Sequence, residues 1–276
     1  MPNVYRIESR VAELPVNAYL IEGERELVAV DGTLTVSGGR AVRTRIDELG
    51  KPLAALVVTH AHPDHYGGVV EVIRGLDAPI VATAGVDEAI RSIDAGREAI
   101  LRPMFGDEWP TERVFPTQRV ADGEVLGFGD IELRVQDLGP GESLHDSVWS
   151  LDGKRSRVFT GDQGYNRTHS YLADGHWDEW LANLERLRRE LPSEAVLHVG
   201  HGGPAGLDVL DWQRSYIEAF LEAVRAADWT DAEAAKAEVA SAMDSRVEGP
   251  ELRFLMELSI EPVAAKLGVI QPTESA

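Results

Sequence analysis

Three histidines and one aspartate stand within six residues, HAHPDH, directly after a continuous apolar run at residues 53–58. Such a run is typical of a strand that is buried on both faces in a layered α/β protein. His60 and His62 are two residues apart, so on extended backbone both imidazoles project to the same side and can share one ion. Asp64 and His65 follow a turn and are expected to point at a second position. The pattern therefore predicts two metal ions about 3.5–4 Å apart, an arrangement suited to hydrolysis.

The composition restricts which ligands and partners are possible. The chain of 276 residues contains no cysteine, so any metal must be held by His, Asp, Glu or water. Its formal net charge is −20, which would repel a phosphate backbone. We therefore expect a small-molecule substrate and no nucleic-acid partner.

The sequence shows no sign of a membrane span or of a secretory signal. The longest apolar run, residues 53–58, is too short to cross a bilayer. The first residues, MPNVYR, have no basic stretch followed by an apolar block. These observations predict a cytoplasmic protein without membrane contact.

Short strands and helices alternate along residues 1–204, whereas only helical patterns follow residue 204. We therefore expect an α/β catalytic core over 1–204 and a helical extension over 205–276 that packs on the same domain. The amphipathic helices of this extension offer a possible homodimer face. One segment, residues 102–118, has aromatic side chains but no clear period, and we expect it to form a loop over a pocket.

The motif THAHPDHYGG at residues 59–68 resembles the signature of the metallo-β-lactamase-fold hydrolases, which include glyoxalase II and lactonases. The resemblance implies a four-layer αββα sandwich of two mixed β-sheets. Asp31, after the second strand, resembles an aspartate that orients a metal-binding histidine. Asp162 in FTGD resembles the carboxylate that bridges two metals, and His201 in VGHGG resembles the last ligand of the second metal. His198 is the competing candidate, but its place inside the strand predicts that it faces the core.

One motif departs from the family pattern. Where the family has a histidine that completes the first metal site, this chain reads GPGESLHD over residues 139–146. We expect His145 to take that role, because it is the only histidine in this stretch. Glu142 is the alternative ligand, and a third possibility is a weak first site with His145 only lining the pocket. The implied metal ligands are His60, His62, Asp64, His65, His145, Asp162 and His201.

The resemblance also implies a reaction and a set of catalytic residues. Two divalent ions, zinc by preference with manganese or iron as alternatives, would hold a bridging hydroxide that attacks the substrate. Asp64 and Asp162 would bind the metals, and Asp64 would also accept a proton. Tyr165 and His169, in the loop after Asp162, are candidates for contacting substrate or stabilising negative charge. The aromatic side chains of residues 102–118 favour a small neutral or apolar acyl compound as substrate, namely an ester, thioester, lactone or β-lactam.

Two other functions are compatible with the same motifs. The first is a mononuclear iron oxygenase that resembles the persulfide dioxygenases, which bind one iron through two histidines and a carboxylate. Asp64 and His65, both present here, favour the dinuclear hydrolase instead. The second is a non-catalytic member of the fold, which only the irregular stretch with Glu142 and His145 supports.

Overall fold

Two mixed β-sheets pack face to face in the computed structural model, which describes residues 2–151 and 156–271. The first sheet has the order β1-β2-β3-β4-β5-β6 and consists of β1 (Asn3–Val11), β2 (Leu14–Glu22), β3 (Leu27–Val30), β4 (Leu53–Val57), β5 (Ile80–Thr83) and β6 (Gln118–Val120). The second has the order β11-β10-β9-β8-β7 and consists of β7 (Val125–Phe128), β8 (Ile131–Gly139), β9 (Asp146–Leu151), β10 (Arg157–Tyr165) and β11 (Val196–His201). Both sheets contain parallel and antiparallel pairs.

Helices cover the outer face of each sheet. They are α1 (Val36–Leu49), α2 (Pro63–Tyr66), α3 (Val69–Ile73), α4 (Ala84–Phe105), α5 (Trp177–Glu190), α6 (Asp208–Ala226), α7 (Ala232–Asp244) and α8 (Arg253–Lys266). Side-chain caps begin several of them: Thr35 accepts from the Gly38 amide in α1, and Thr83 accepts from the Val86 amide in α4. Among residues 2–151 and 156–271, no helix combines the length and apolar character needed to cross a bilayer.

The alternation of side chains along each strand produces the layers. Every second residue of a strand faces the other sheet, and the remaining ones face the helices. Between the sheets lies a cluster of Tyr19, Ile21, Val28, Val30, Ala55, Val57, Val81, Ile131, Leu133, Val135, Trp149 and Phe159. The intervening residues of β2, β3 and β4 pack against α1, α3 and α4. This arrangement confirms the predicted αββα sandwich.

The helices that follow β11 lie on the outer face of the second sheet. α6 packs against β10 and α5, and α7 and α8 pack against α6. The same buried cluster contains Val158 of β10, Phe220 of α6, Met243 of α7 and Ile260 of α8. The terminal helices thus share a continuous apolar core with the sheet that carries Asp162.

The segment 102–118 is only partly the loop that its sequence predicts. Helix α4 continues through Phe105, so Met104 and Phe105 lie on a helix and line a cavity. Trp109 is fully buried, and its indole Nε1 donates to Glu98. The first part of this segment is therefore the end of α4, which borders a cavity. The part that follows is a turn whose Trp109 side chain packs against α4.

His198 faces the core between the sheets, as its place in the strand predicts. Its ring stacks on Phe159 with centroids 4.9 Å apart, and it meets the edge of Tyr19 at 5.0 Å. Neither ring nitrogen has a hydrogen-bond partner among the described residues. Burial, supported by the charge of Arg157, lowers the pKa of His198 to about 4.

We predict that His198→Phe makes the metal-free protein less sensitive to acid. The unfolded chain takes up a proton on His198 below about pH 6.5, but the folded chain does so only below about 4, so this residue lowers stability as the pH falls between those values. The substitution removes that loss. The free energy of unfolding of the variant minus that of the wild type should therefore be about 1–2 kcal/mol larger at about pH 5 than at about pH 7.5. Urea denaturation measures the free energy of unfolding of both proteins at both pH values. The same difference between variant and wild type at the two pH values would contradict the prediction.

Candidate metal centre

Four strands bring Asp31 and three candidate ligands to one rim of the sandwich. Asp31 follows β3, and His60 follows β4, its parallel neighbour. Asp162 lies within β10, and His201 closes β11, which runs parallel to β10. Because the carboxyl ends of parallel strands meet at one edge of a sheet, these polar side chains converge.

The converging side chains form two groups, each with four atoms suited to hold a cation. The first group is His60, His62, Glu142 and Asp162, and the second is Asp64, His65, Asp162 and His201. Within each group the ligand atoms lie within 4.8 Å of one another. Asp162 belongs to both groups, and every member except Asp64 is buried. Seven side chains from distant parts of the sequence thus surround two adjacent positions.

Asp31 orients two of the histidines. Its Oδ2 accepts from His65 Nδ1 at 2.8 Å and from the Thr59 hydroxyl at 2.9 Å. The Thr59 oxygen in turn lies 2.9 Å from His60 Nδ1 and accepts from it. Both imidazoles therefore donate through Nδ1 and turn Nε2 toward the groups, where it can offer a lone pair to a cation. Asp31 has φ 62°, a left-handed backbone that is uncommon for a residue other than glycine.

Separate partners orient the other two histidines. His62 Nε2 donates to Asp174 Oδ2 at 3.0 Å, which leaves Nδ1 facing Glu142 at 2.8 Å. His201 Nδ1 donates to the Pro15 carbonyl oxygen at 2.5 Å, which leaves Nε2 facing the second group. Each of the four histidines thus uses one nitrogen for the scaffold and turns the other inward.

The inward atoms lack hydrogen bonds, and this tests whether the residues fit a metal. Among the described residues, His60 Nε2, His65 Nε2, His201 Nε2, Glu142 Oε2 and Asp162 Oδ1 are buried without a hydrogen-bond partner. They face one another closely: Nε2 of His201 is 3.0 Å from Asp162 Oδ2, and Nε2 of His65 is 3.3 Å from Asp162 Oδ1. Buried polar atoms of this kind are costly unless a ligand satisfies them. Imidazole nitrogens with carboxylate oxygens suit zinc, manganese or iron, so the residues fit a divalent cation in each group.

The pKa values of Glu142 and Asp162 shift in opposite directions. Burial raises the pKa of Glu142 to about 8, against the lowering effect of His62. Burial acts in the same direction on Asp162, but the charges of His201 and His65 outweigh it and hold the pKa of Asp162 well below its usual range. Asp162 therefore remains a carboxylate. Glu142 depends on a nearby positive charge to ionise fully at neutral pH.

His145 does not complete the first group, which corrects the expectation from sequence. Its Nε2 lies 2.7 Å from Asp137 Oδ1, and its ring packs against the backbone of Gly85. Glu142 takes the place instead, because a Tyr165 hydroxyl bond of 2.7 Å holds its Oε1 and leaves Oε2 facing the histidines. Glu142, the alternative that the sequence leaves open, is thus the residue that the structure places with His60 and His62.

The residues after Asp162 also differ from expectation. Tyr165 borders the site, but its hydroxyl donates to Glu142 and its ring stacks on His201 with centroids 4.9 Å apart. His169 lies elsewhere: its Nδ1 is 3.0 Å from the Tyr216 hydroxyl and its Nε2 is 3.5 Å from Asp244. The turn that follows β10 carries His169 under the terminal helices, so it does not reach the two groups.

Asp174 is the functional residue that sequence reasoning missed. It stands 112 residues beyond His62 in a turn with no motif of its own, and only the folded chain shows that the two side chains meet. The contact of His201 with the Pro15 carbonyl oxygen could not be predicted either, because every residue type has a backbone carbonyl.

A cavity of about 140 Å³ opens beside the two groups. His62, Asp64, Asp162 and Tyr165 form part of its wall, and α4 and α8 form much of the rest. Asp64 is the one group member that is not fully buried. A substrate in this cavity would therefore lie directly against both groups.

Comparisons with known proteins agree with this geometry. Residues 11–201 match the family model described as the metallo-beta-lactamase superfamily. The uncharacterized protein YobT of Bacillus subtilis is 38% identical over 214 residues, which cover 72% of this chain and 88% of YobT. The hydroxyacylglutathione hydrolase of Bdellovibrio bacteriovorus is 26% identical, with 54% of this chain and 49% of the relative covered. The acyl-coenzyme A thioesterase MBLAC2 of Homo sapiens is 28% identical, with 60% and 61% covered.

The chain therefore spans about half the length of that hydroxyacylglutathione hydrolase and less than two thirds of the thioesterase.

Among solved structures, a metallo-beta-lactamase family protein from Thermus thermophilus has a TM-score of 0.69 at 24% identity, with 96% of this chain and 94% of that one covered. A metallo-beta-lactamase from Pontibacter korlensis has a TM-score of 0.62 at 18% identity, with 79% and 99% covered. Both structures confirm the fold that the sequence motifs imply.

We predict that Gly200→Ala, within β11, disrupts the site, whereas Gly203→Ala, just after β11, does not. A Cβ on Gly200 would lie 1.9 Å from Asp162 Oδ1 and 2.7 Å from His65 Cε1, while a Cβ on Gly203 meets nothing within 4 Å. The crowding should lower the free energy of unfolding by about 1–3 kcal/mol for Gly200→Ala and by less than about 0.5 kcal/mol for Gly203→Ala. Urea denaturation compares the two variants, and equal effects would contradict the close approach.

Proposed function

This chain belongs to the metallo-β-lactamase superfamily, and we propose that it is a dinuclear metal-dependent hydrolase of small acyl compounds, with thioesters as the leading substrates. The observation that carries the proposal is the sharing of Asp162 between two buried groups of ligand atoms. Its Oδ2 lies 3.9 Å from His60 Nε2 of the first group and 3.0 Å from His201 Nε2 of the second. A carboxylate placed between two sets of ligand atoms in this way is expected of a residue that contacts two cations.

The residues divide between the two ions as follows. His60, His62 and Glu142 would hold the first ion, Asp64, His65 and His201 would hold the second, and Asp162 would contact both. When bound, such ions act as Lewis acids and lower the pKa of water from 15.7 to about 7. The four orienting contacts, from Asp31, Thr59, Asp174 and the Pro15 carbonyl, keep the imidazoles in place for this role.

Asp64 and Tyr165 take different parts in the proposal. Asp64 lies on the cavity wall and is less buried than the other ligands, so its carboxylate is placed to receive a proton from a water that enters the cavity. Tyr165 acts through Glu142, whose Oε1 accepts its hydroxyl, and it is a positioning residue. His169 has no part in the reaction, because it contacts Tyr216 and not the ligand groups.

The names of two relatives support an acyl compound as substrate. One is a hydroxyacylglutathione hydrolase and the other an acyl-coenzyme A thioesterase. In a thioester, hydrolysis breaks the bond between the acyl carbon and sulfur, water supplies the oxygen of the new acid, and the thiol leaves with a proton. A buried site that orients water and stabilises charge on the carbonyl oxygen is sufficient for this reaction.

We predict that the protein loaded with zinc or manganese hydrolyses the S-butanoyl thioester of N-acetylcysteamine. Asp162→Asn should lower kcat/KM about a hundredfold or more, because it removes the carboxylate shared by both groups. Asp137→Asn, which alters a carboxylate that contacts His145 outside the groups, is the control and should retain wild-type activity. Thiol release measures the rates. Lack of turnover of thioesters, esters, lactones and β-lactams by fully loaded protein would refute the proposed function.

We further predict that Glu142→Ala and His145→Ala differ in metal content. The first substitution removes a ligand atom from the first group, so the variant should retain about one metal equivalent fewer than the wild type. The second removes a histidine whose imidazole contacts Asp137, so the metal content should not change. Elemental analysis after gel filtration measures both variants, with circular dichroism as a check on folding. The opposite pattern would assign the first site to His145.

A further inference from the structure

The cavity beside the metal-binding groups is walled mainly by apolar side chains from three parts of the chain. They are Leu14 of β2 and Leu34 of the loop between β3 and α1, Ile100, Leu101, Met104 and Phe105 of α4, and Phe254, Leu255 and Leu258 of α8. α4 packs on the first sheet, whereas α8 belongs to the terminal helices, so the cavity lies where these two outer layers meet. Its apolar lining continues up to the side chains of His62, Asp64 and Asp162.

Large apolar side chains remain exposed around this cavity. Ile100 is 56% exposed, and Met104 and Leu258 are each 57% exposed. All three line the cavity, although only two other large apolar residues of the described chain, Val125 and Leu144, are comparably exposed. Clustered exposed apolar surface next to a pocket is typical of a binding site for an apolar ligand.

The described residues of the cavity wall offer no unpaired Lys or Arg to attract an acidic substrate group. Arg97 is the single Lys or Arg among the cavity residues that the structure describes. Its guanidinium lies 3.6 Å from Asp174 Oδ1, and Asp174 is the carboxylate that also accepts from His62. A carboxylate on the substrate side chain would therefore lose its hydration there without gaining a cationic partner.

We propose that this cavity binds the unbranched apolar acyl chain of the substrate, with the acyl carbonyl against the metal-binding groups and the chain between α4 and α8. This inference rests on the proposed hydrolase function and adds its substrate class, a neutral medium-chain acyl thioester. An apolar cavity of about 150 Å³ accommodates a benzene-sized group, so the 140 Å³ here encloses about six carbons. The exposed side chains of Ile100, Met104 and Leu258 then cover the carbons that follow.

The test is a series of N-acetylcysteamine thioesters from acetyl to dodecanoyl, assayed with the metal-loaded protein. Each methylene between four and eight carbons should raise kcat/KM about fourfold, as expected for transfer of a methylene into an apolar site. The gain should level off at about eight carbons, where the chain has passed both the about six enclosed carbons and the exposed side chains at the rim. Rates that are flat or fall with chain length would overturn the inference, even though the thioesterase activity itself would stand.

Two variants locate the effect on the cavity. Leu258→Asp places a charge on its rim and should lower the ratio of octanoyl to butanoyl kcat/KM at least about tenfold. Val125→Asp is the matched control, because Val125 is an exposed apolar residue, 44% exposed, that does not line the cavity. It should leave the ratio as in the wild type. Equal ratios in the two variants would place the chain elsewhere.

A binding measurement separates this inference from the proposed function. Isothermal titration of the metal-loaded protein with octanoate and with butanoate, both carboxylate products, should show octanoate binding at least about tenfold more tightly. Leu258→Asp should remove most of that difference. If thioesters, esters, lactones and β-lactams all remain unhydrolysed but octanoate retains its advantage, the chain-binding cavity stands and the hydrolase proposal fails. Equal affinities for the two acids would overturn the cavity assignment whether or not hydrolysis occurs.

Discussion

The Asp31 carboxylate is the contact on which the site depends. It accepts from His65 directly and from Thr59, whose oxygen accepts from His60, so one buried acid sets the tautomer of two histidines. It also accepts from the backbone amide of Thr59 and thereby ties the end of β3 to the segment after β4. Without this acid, neither imidazole would be held with Nε2 turned inward, and the convergence of ligand atoms around Asp162 would be lost.

The arrangement of the two sheets determines where the site residues meet. Two parallel strand pairs, one in each sheet, end at the same rim, and their side chains supply Asp31, His60, Asp162 and His201. Ser147, next to the loop that carries Glu142, donates from its backbone amide to the Thr59 carbonyl and so joins the second sheet to the first at this rim. The terminal helices share the core of the second sheet and supply α8, which completes the cavity wall.

The sequence predicts the fold and most of the ligand set because these depend on local patterns. Alternating strands, a buried apolar run and the HAHPDH motif are all short-range signals. They place His60 after β4, His65 on the short helix α2 that follows, and His201 at the end of β11. Prediction is wrong where a loop decides the direction of a side chain. The residue order in GPGESLHD cannot show that Tyr165 holds Glu142 inward while Asp137 draws His145 away. The pairing of Asp174 with His62 leaves no local trace either.

Asp162 is proposed to stand between two cations, and a crystal structure of the metal-loaded protein with anomalous diffraction at the metal edge tests this most directly. We predict two anomalous peaks, one among His60, His62 and Glu142 and the other among Asp64, His65 and His201, with Asp162 in contact with both. A single iron peak would favour a mononuclear oxygenase. The absence of a peak from protein given zinc, manganese and iron would contradict the central claim.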